Sequence, residues 1–208
     1  SMISQRPDYA PAKLLSGKIS LRKRQFGEAI GIFDSLIKEE PRWVEAHYLK
    51  GLSHFQKGGE PNVVKTALNK VLTLNPEHID ARLLMATLYL REKKYAMAQN
   101  ECRQVIDRIP NHFEANRLLG NTYLGQKKLD AADALFTKLV TRFPDHPAGY
   151  FHLGIVKRAR RDLEGARTDF EAALEREPRF VEAFSHLILT HVANNNVQAG
   201  LNRCDRQL

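Results

Sequence analysis

Eight histidines and two cysteines are the residues of this chain whose side chains are best suited to metal binding or catalysis. His78, His112 and His146 share one context, Pro-Glu-His, Pro-Asn-His and Pro-Asp-His, at intervals of 34 residues. Packed helices lie roughly 10 Å apart, whereas a histidine–metal bond is about 2 Å long. Residues on successive units of that period therefore cannot share an ion, and the three read as turn residues that open a helix. Cys102 and Cys204 read as small buried hydrophobes; their separation along the chain's period far exceeds the roughly 7 Å between alpha carbons that a disulfide allows. Gly17-Lys18-Ile19-Ser20 resembles a phosphate loop only in part. The upstream glycine is missing and no serine follows the lysine directly, so the match fails. No nucleophile elbow, zinc-protease pair or dinucleotide fingerprint is present. The residues call for no catalytic centre, no metal and no cofactor.

The elements that carry these residues follow from a period. Pro7, Pro41, Pro76, Pro110, Pro144 and Pro178 are separated by 34, 35, 34, 34 and 34 residues. A column of small residues keeps the same step: Gly17, Gly51, Ala86, Gly120 and Gly154, with Ile188 as the exception. A second column reads Ala29, Val64, Ala98, Ala132, Ala166 and Gly200, and a larger residue follows four positions on: Phe33, Leu68, Cys102, Phe136, Phe170 and Cys204. Between prolines the apolar residues recur at steps of three and four, the signature of two amphipathic helices. The turn Gly125-Gln126-Lys127-Lys128 is short enough to force them antiparallel. The following proline ends the second helix, because it has no amide hydrogen and restricts the residue before it. Gly120 and Ala132 mark the point where the two helices cross, and Phe136 fills the space beside it.

Leu119-Gly120, Tyr123, Ala132, Phe136 and Pro144 resemble the tetratricopeptide repeat, residue by residue. The resemblance spans essentially the whole chain and implies an all-α, right-handed superhelical solenoid of antiparallel helix hairpins. It places full repeats at about 10–43, 44–78, 79–112, 113–146 and 147–180, a truncated sixth at 181–208, and the tail of a preceding repeat at 1–9. The extra residue of the second repeat falls in Lys57-Gly58-Gly59-Glu60-Pro61. One departure stands out. The aromatic that usually opens the first helix is replaced by Lys13, His47, Arg82 and Asn116 and is kept only as Tyr150 and Phe184. Both ends read as cut, so the chain is expected to be part of a longer repeat protein. Its last helix is expected to fray, because Gly200 costs about 1 kcal/mol relative to alanine.

In such repeats the first helices line the concave side, where ligands lie. The resemblance puts Leu14, Leu15, Tyr48, Leu49, Leu52, Leu83, Leu84, Thr87, Arg117, Leu118, Asn121, Phe151, His152, Ile155 and His186 on that face. Two readings stay open: an apolar groove for a peptide or an amphipathic helix, or packing between adjacent first helices. A grip on a carboxylate terminus is not expected, because Glu182 and His186 stand where cations would be needed.

Composition excludes little. Apolar residues make up 43% and charged residues 27%, with a formal net charge of +8. No apolar run reaches the roughly 20 residues a membrane span needs. Arg22-Lys23-Arg24, Arg91 with Lys93-Lys94, Lys127-Lys128, and Arg158 with Arg160-Arg161 end the first helices, while Glu45, Asp80, Glu114 and Glu182 begin them. That arrangement complements the helix dipole. Nucleic acid is not the expected partner, since no aromatics are interleaved with these cations for base stacking. Membrane contact is left to segments outside this sequence, and uncapped ends offer a route to self-association. The expected function is a protein-interaction scaffold that takes a protein or peptide partner. The alternative is a structural spacer, for the leucine- and alanine-rich repeats resemble those of bacterial envelope and polysaccharide-export systems. Cytoplasm and envelope both remain open.

Overall fold

The computed structural model describes residues 10–196 and Gln198. The expected tail at 1–9, the fraying of the last helix with Gly200, and Cys204 lie outside the described residues. The described chain is helical, in order α1 (Ala10–Arg22), α2 (Phe26–Glu39), α3 (Val44–Lys57), α4 (Pro61–Leu74), α5 (Ile79–Arg91), α6 (Tyr95–Ile106), α7 (Phe113–Gly125), α8 (Leu129–Arg142), α9 (Pro147–Ala159), α10 (Leu163–Arg176) and α11 (Val181–Ala193). None of them is long and apolar enough to cross a membrane. Two compact units divide the chain, residues 1–92 and 93–208. Within each unit, consecutive helices pack on one another, and first helices of adjacent hairpins also meet, α1 with α3 and α9 with α11.

The columns become the core. In the first unit Ala29, Phe33, Val64 and Leu68 are fully buried. In the second, Ala98, Cys102, Ala132, Phe136, Ala166 and Phe170 are equally buried. The glycines opposite them are small by necessity. A Cβ on Gly120 would overlap the ring of Phe136, and one on Gly154 would come within 2.6 Å of Phe170. One core cluster of the first unit gathers Leu14, Leu21, Phe33, Leu36 and Leu49, and another Val64, Leu68, Met85 and Leu88. In the second unit Phe136, Leu139, Leu153 and Val156 form one cluster, and Phe151, Phe170, Leu174 and Leu187 form another. Burial pushes the Cys102 thiol up to about 12, so it stays a neutral packing group.

The helix starts are held by the turn histidines. His78 Nδ1 accepts from the Ala81 amide at 3.3 Å, His112 from Ala115 at 3.2 Å and His146 from Ala148 at 3.3 Å. Each histidine thus satisfies one of the amides a helix start leaves free. The ends of the first helices use a different device. Arg24, Lys93, Lys127, Arg161 and Asn195 all have positive φ, between 54° and 65°. The bonds Gln25 N to Ser20 O at 2.9 Å and Lys128 N to Tyr123 O at 2.9 Å close the left-handed turn. The turn after α3 instead uses a glycine in the left-handed conformation, Gly58 at φ 76°.

Candidate functional site

The first helices of each unit carry the residues that the sequence singles out for binding. In the first unit they separate into two layers. Leu14, Leu49, Leu83 and Leu84 are 9% exposed or less, and Leu14, Leu49 and Leu84 belong to core clusters. Tyr48 and Leu52 are half-buried, packed against both clusters. Burial and the charge of Asp80 push the Tyr48 phenol up to about 12, so it stays neutral. Thr87 is half-buried and its hydroxyl donates to Leu83 O at 2.8 Å. Leu15 is 49% exposed, and Ile19, one turn further along α1, is 39% exposed. These two form one wall of a cleft of about 420 Å³ whose other lining residues include Lys18, Arg22 and Leu49. Lys18 is paired with Glu45 at 2.5 Å.

The second unit offers a polar and aromatic counterpart. Arg117 Nε and Nη2 donate to the Glu114 carboxylate at 2.7 and 2.5 Å. Its Nη1 faces His152 Nε2 at 3.3 Å. Arginine can only donate, so Nε2 accepts and the imidazole proton sits on Nδ1. His152 is buried, stacked on Phe136 at 5.0 Å, and its Nδ1 has no partner among the described residues. Burial, then Arg117, then His186 hold its pKa down to about 3. Burial and the charge of Arg158 lower that of His186 as well. Phe151 lies 5.2 Å from His186, edge to face. Leu118 is 2% exposed, whereas Asn121 and Ile155 are half-buried. The structure therefore brings Arg117, His152, Phe151 and His186 together and withdraws Leu118 into the core. In this cluster the neutral His152 ring stacks on Phe136 and accepts from Arg117.

A second set of sites follows from the missing aromatic column. His47 Nε2 lies 3.0 Å from Pro41 O. Arg82 Nε and Nη2 donate to Pro76 O at 3.0 and 2.6 Å, and Asn116 Nδ2 donates to Pro110 O at 3.0 Å. These three polar replacements thus each satisfy the carbonyl of the proline six residues before them. At Tyr150, where the aromatic is kept, an arginine of the second helix does this work. Arg176 Nε donates to Pro144 O at 2.5 Å, Nη2 donates to the Tyr150 hydroxyl at 2.8 Å, and the guanidinium lies 3.8 Å from the ring centroid. The substituted positions were visible in the sequence; the proline-carbonyl bonds were not, because they join residues of no conventional pairing.

Comparison with known proteins agrees with this architecture. A family model described as Tetratricopeptide repeat matches residues 89–153, and another of the same description matches residues 14–60 and 151–201. No curated protein matches the chain. Among solved structures, MamA from Desulfovibrio magneticus RS-1 is 25% identical with a TM-score of 0.71, covering 83% of this chain and 97% of its own. PilW, a type IV pilus biogenesis factor, shares 14% identity with a TM-score of 0.82, over 94% of this chain and 90% of that one. YrrB, described as a TPR protein with an unusual peptide-binding site, shares 17% identity with a TM-score of 0.64, over 88% and 94%. The period, the small and large columns, the paired helices and these matches lead to one statement: the chain belongs to the tetratricopeptide repeat family, with its all-α solenoid fold of antiparallel hairpins.

Proposed function

We propose that this protein is a non-catalytic scaffold that binds a segment of another protein along its first helices. The observation that carries this reading is the pair Leu15 and Ile19, two large apolar side chains left in solvent beside a cleft floored by Leu49. Neither is needed to complete the core beneath them. Burying two such side chains contributes about 3–6 kcal/mol gross, before the costs of association and ordering. An apolar segment, extended or helical, fits that cleft, and Arg22 at its rim favours an acidic residue on the segment. The family to which YrrB also belongs supports peptide binding as a general role. Of the residues singled out by the sequence, Leu15 is exposed, and Tyr48, Leu52, Thr87, Arg117, Asn121, Ile155 and His186 are half-buried and left partly accessible for contact.

A structural spacer is the second reading, favoured by the burial of Leu49, Leu83, Leu84, Leu118 and Phe151, which packing already accounts for. One experiment separates the two. Proteins retained from a cell extract by the wild type are compared with those retained by the variant carrying Leu15→Glu and Ile19→Glu. The variant is expected to keep its thermal midpoint, because both residues are exposed, and to lose the specific partner. An unchanged set of retained proteins would exclude binding through this cleft and favour the spacer.

A further inference from the structure

The hairpins α9–α10 and α7–α8 have the same helix bounds offset by 34 residues and differ in the side chain at the place of Tyr150. In α9–α10, Tyr150 lies between the two helices and Arg176 lies over its ring. Thirty-four residues earlier, Asn116 stands for Tyr150 and Arg142 stands for Arg176. Asn116 already satisfies Pro110 O, so Arg142 has neither the carbonyl nor the ring that occupy Arg176. Among the described residues Arg142 makes no hydrogen bond or ion pair, and it is exposed. A cleft of about 460 Å³ remains where the ring would lie, lined by Pro110, Asn116, Leu135, Lys138, Arg142 and Phe143 among others. That is within the range of specific small-ligand sites. Both charged groups on its wall are cations, and no acid lines it. The contrast with α9–α10 is chemical as well as steric, since the residues there equivalent to Thr137, Thr141 and Phe143 are Glu171, Glu175 and Glu177.

We propose that the α7–α8 cleft binds an aromatic side chain of a partner polypeptide that carries an acidic residue next to it. The ring takes the place that Tyr150 fills in the neighbouring hairpin. Arg142 lies over its face as Arg176 does over Tyr150, and Lys138 meets the carboxylate. A guanidinium on an aromatic face and a charge-assisted bond are both stronger in a partly desolvated cleft than in open water. A related cleft of about 430 Å³ opens beside His47, Thr66, Ala67 and Lys70. There Leu74 stands where the arginine would be, so that cleft lacks the cation for the ring. This site is independent of the one on α1, and either can fail without the other.

The test is a titration of the isotope-labelled protein with the capped dipeptide acetyl-Asp-Tyr-amide, followed by amide NMR shifts. Saturable shifts are expected for amides of residues 135–143. Arg142→Ala should weaken the response by about five-fold, and acetyl-Asn-Tyr-amide should bind more weakly than the acidic peptide. Acetyl-Asp-Leu-amide should leave these amides unmoved. Asn116→Tyr supplies the ring from within, so its response should vanish while its thermal midpoint does not fall. Absent shifts, an equal response to the leucine peptide, or an undiminished response in Asn116→Tyr would each overturn the proposal. So would shifts produced by free tyrosine but not by the dipeptide.

Discussion

Alanine in place of Phe136 is expected to lower the unfolding free energy by about 3–5 kcal/mol. The ring is fully buried, lies against Gly120 and stacks on His152 at 5.0 Å. It therefore joins α7, α8 and α9, and no neighbour can move into its space without opening a contact elsewhere. Urea unfolding followed by circular dichroism measures the loss; a change below about 1 kcal/mol would show that the site collapses around the cavity. The glycine opposite supplies a sharper check. Gly120→Ala places a methyl group in the volume of the ring and is expected to cost about 1–3 kcal/mol by overpacking. In a Phe136→Leu background the same change should cost less. That coupling is the mark of two residues sharing one space, whereas strict additivity would contradict the close approach of α7 and α8.

Acidification is expected to weaken the protein through His152, and the sign follows from its burial. The free imidazole takes a proton near its ordinary value of 6.5, whereas the folded protein holds the ring neutral down to about 3. Between those values the unfolded chain binds a proton that the folded chain does not. Stability is thus fully present above about pH 6.5 and is lost progressively as pH falls toward 3. From pH 7 to pH 5 the loss from this group is about 2 kcal/mol. Burial and the charge of Arg158 also lower the pKa of His186, which acts in the same direction. His152→Leu isolates the effect, since Leu84 and Leu118 occupy the same register in α5 and α7 and are buried there. Every other residue is common to the two proteins, so the difference between the two pH profiles belongs to His152. Parallel profiles would refute the assignment.

The fold was written in the sequence wherever one side chain alone determines a contact. Gly120, Ala132 and Phe136 announce a helix crossing because only that order of small, small and large fills it, and the structure buries the latter two completely. The prolines mark the ends of second helices for a similarly local reason. The face of the first helices was less legible. Leu14 and Leu15 are adjacent and chemically identical, yet Leu14 is in the core and Leu15 is half in solvent. A helix turns 100° per residue, so which leucine a neighbouring hairpin covers depends on the angle at which that hairpin packs. No spacing within one helix encodes that angle. Leu84 and Leu118 went inside for the same reason. The cleft at Asn116 lay closer to view, since the substituted column could be read directly. What could not be read was that Arg142 is left idle by the bond between Asn116 and Pro110.

The left-handed turns bear on how the cationic helix ends of this protein can be studied. At Arg24, Lys127 and Arg161 the residue that carries the charge is also the residue that bends the chain. Alanine or glutamate at these places would alter backbone preference and charge together, and glycine would loosen the unfolded chain besides. Asparagine is the neutral residue that tolerates this conformation, and the chain itself uses it at Asn195. An electrostatic role for these cations is therefore best measured by asparagine scanning; a conventional alanine scan would report on turn geometry as well.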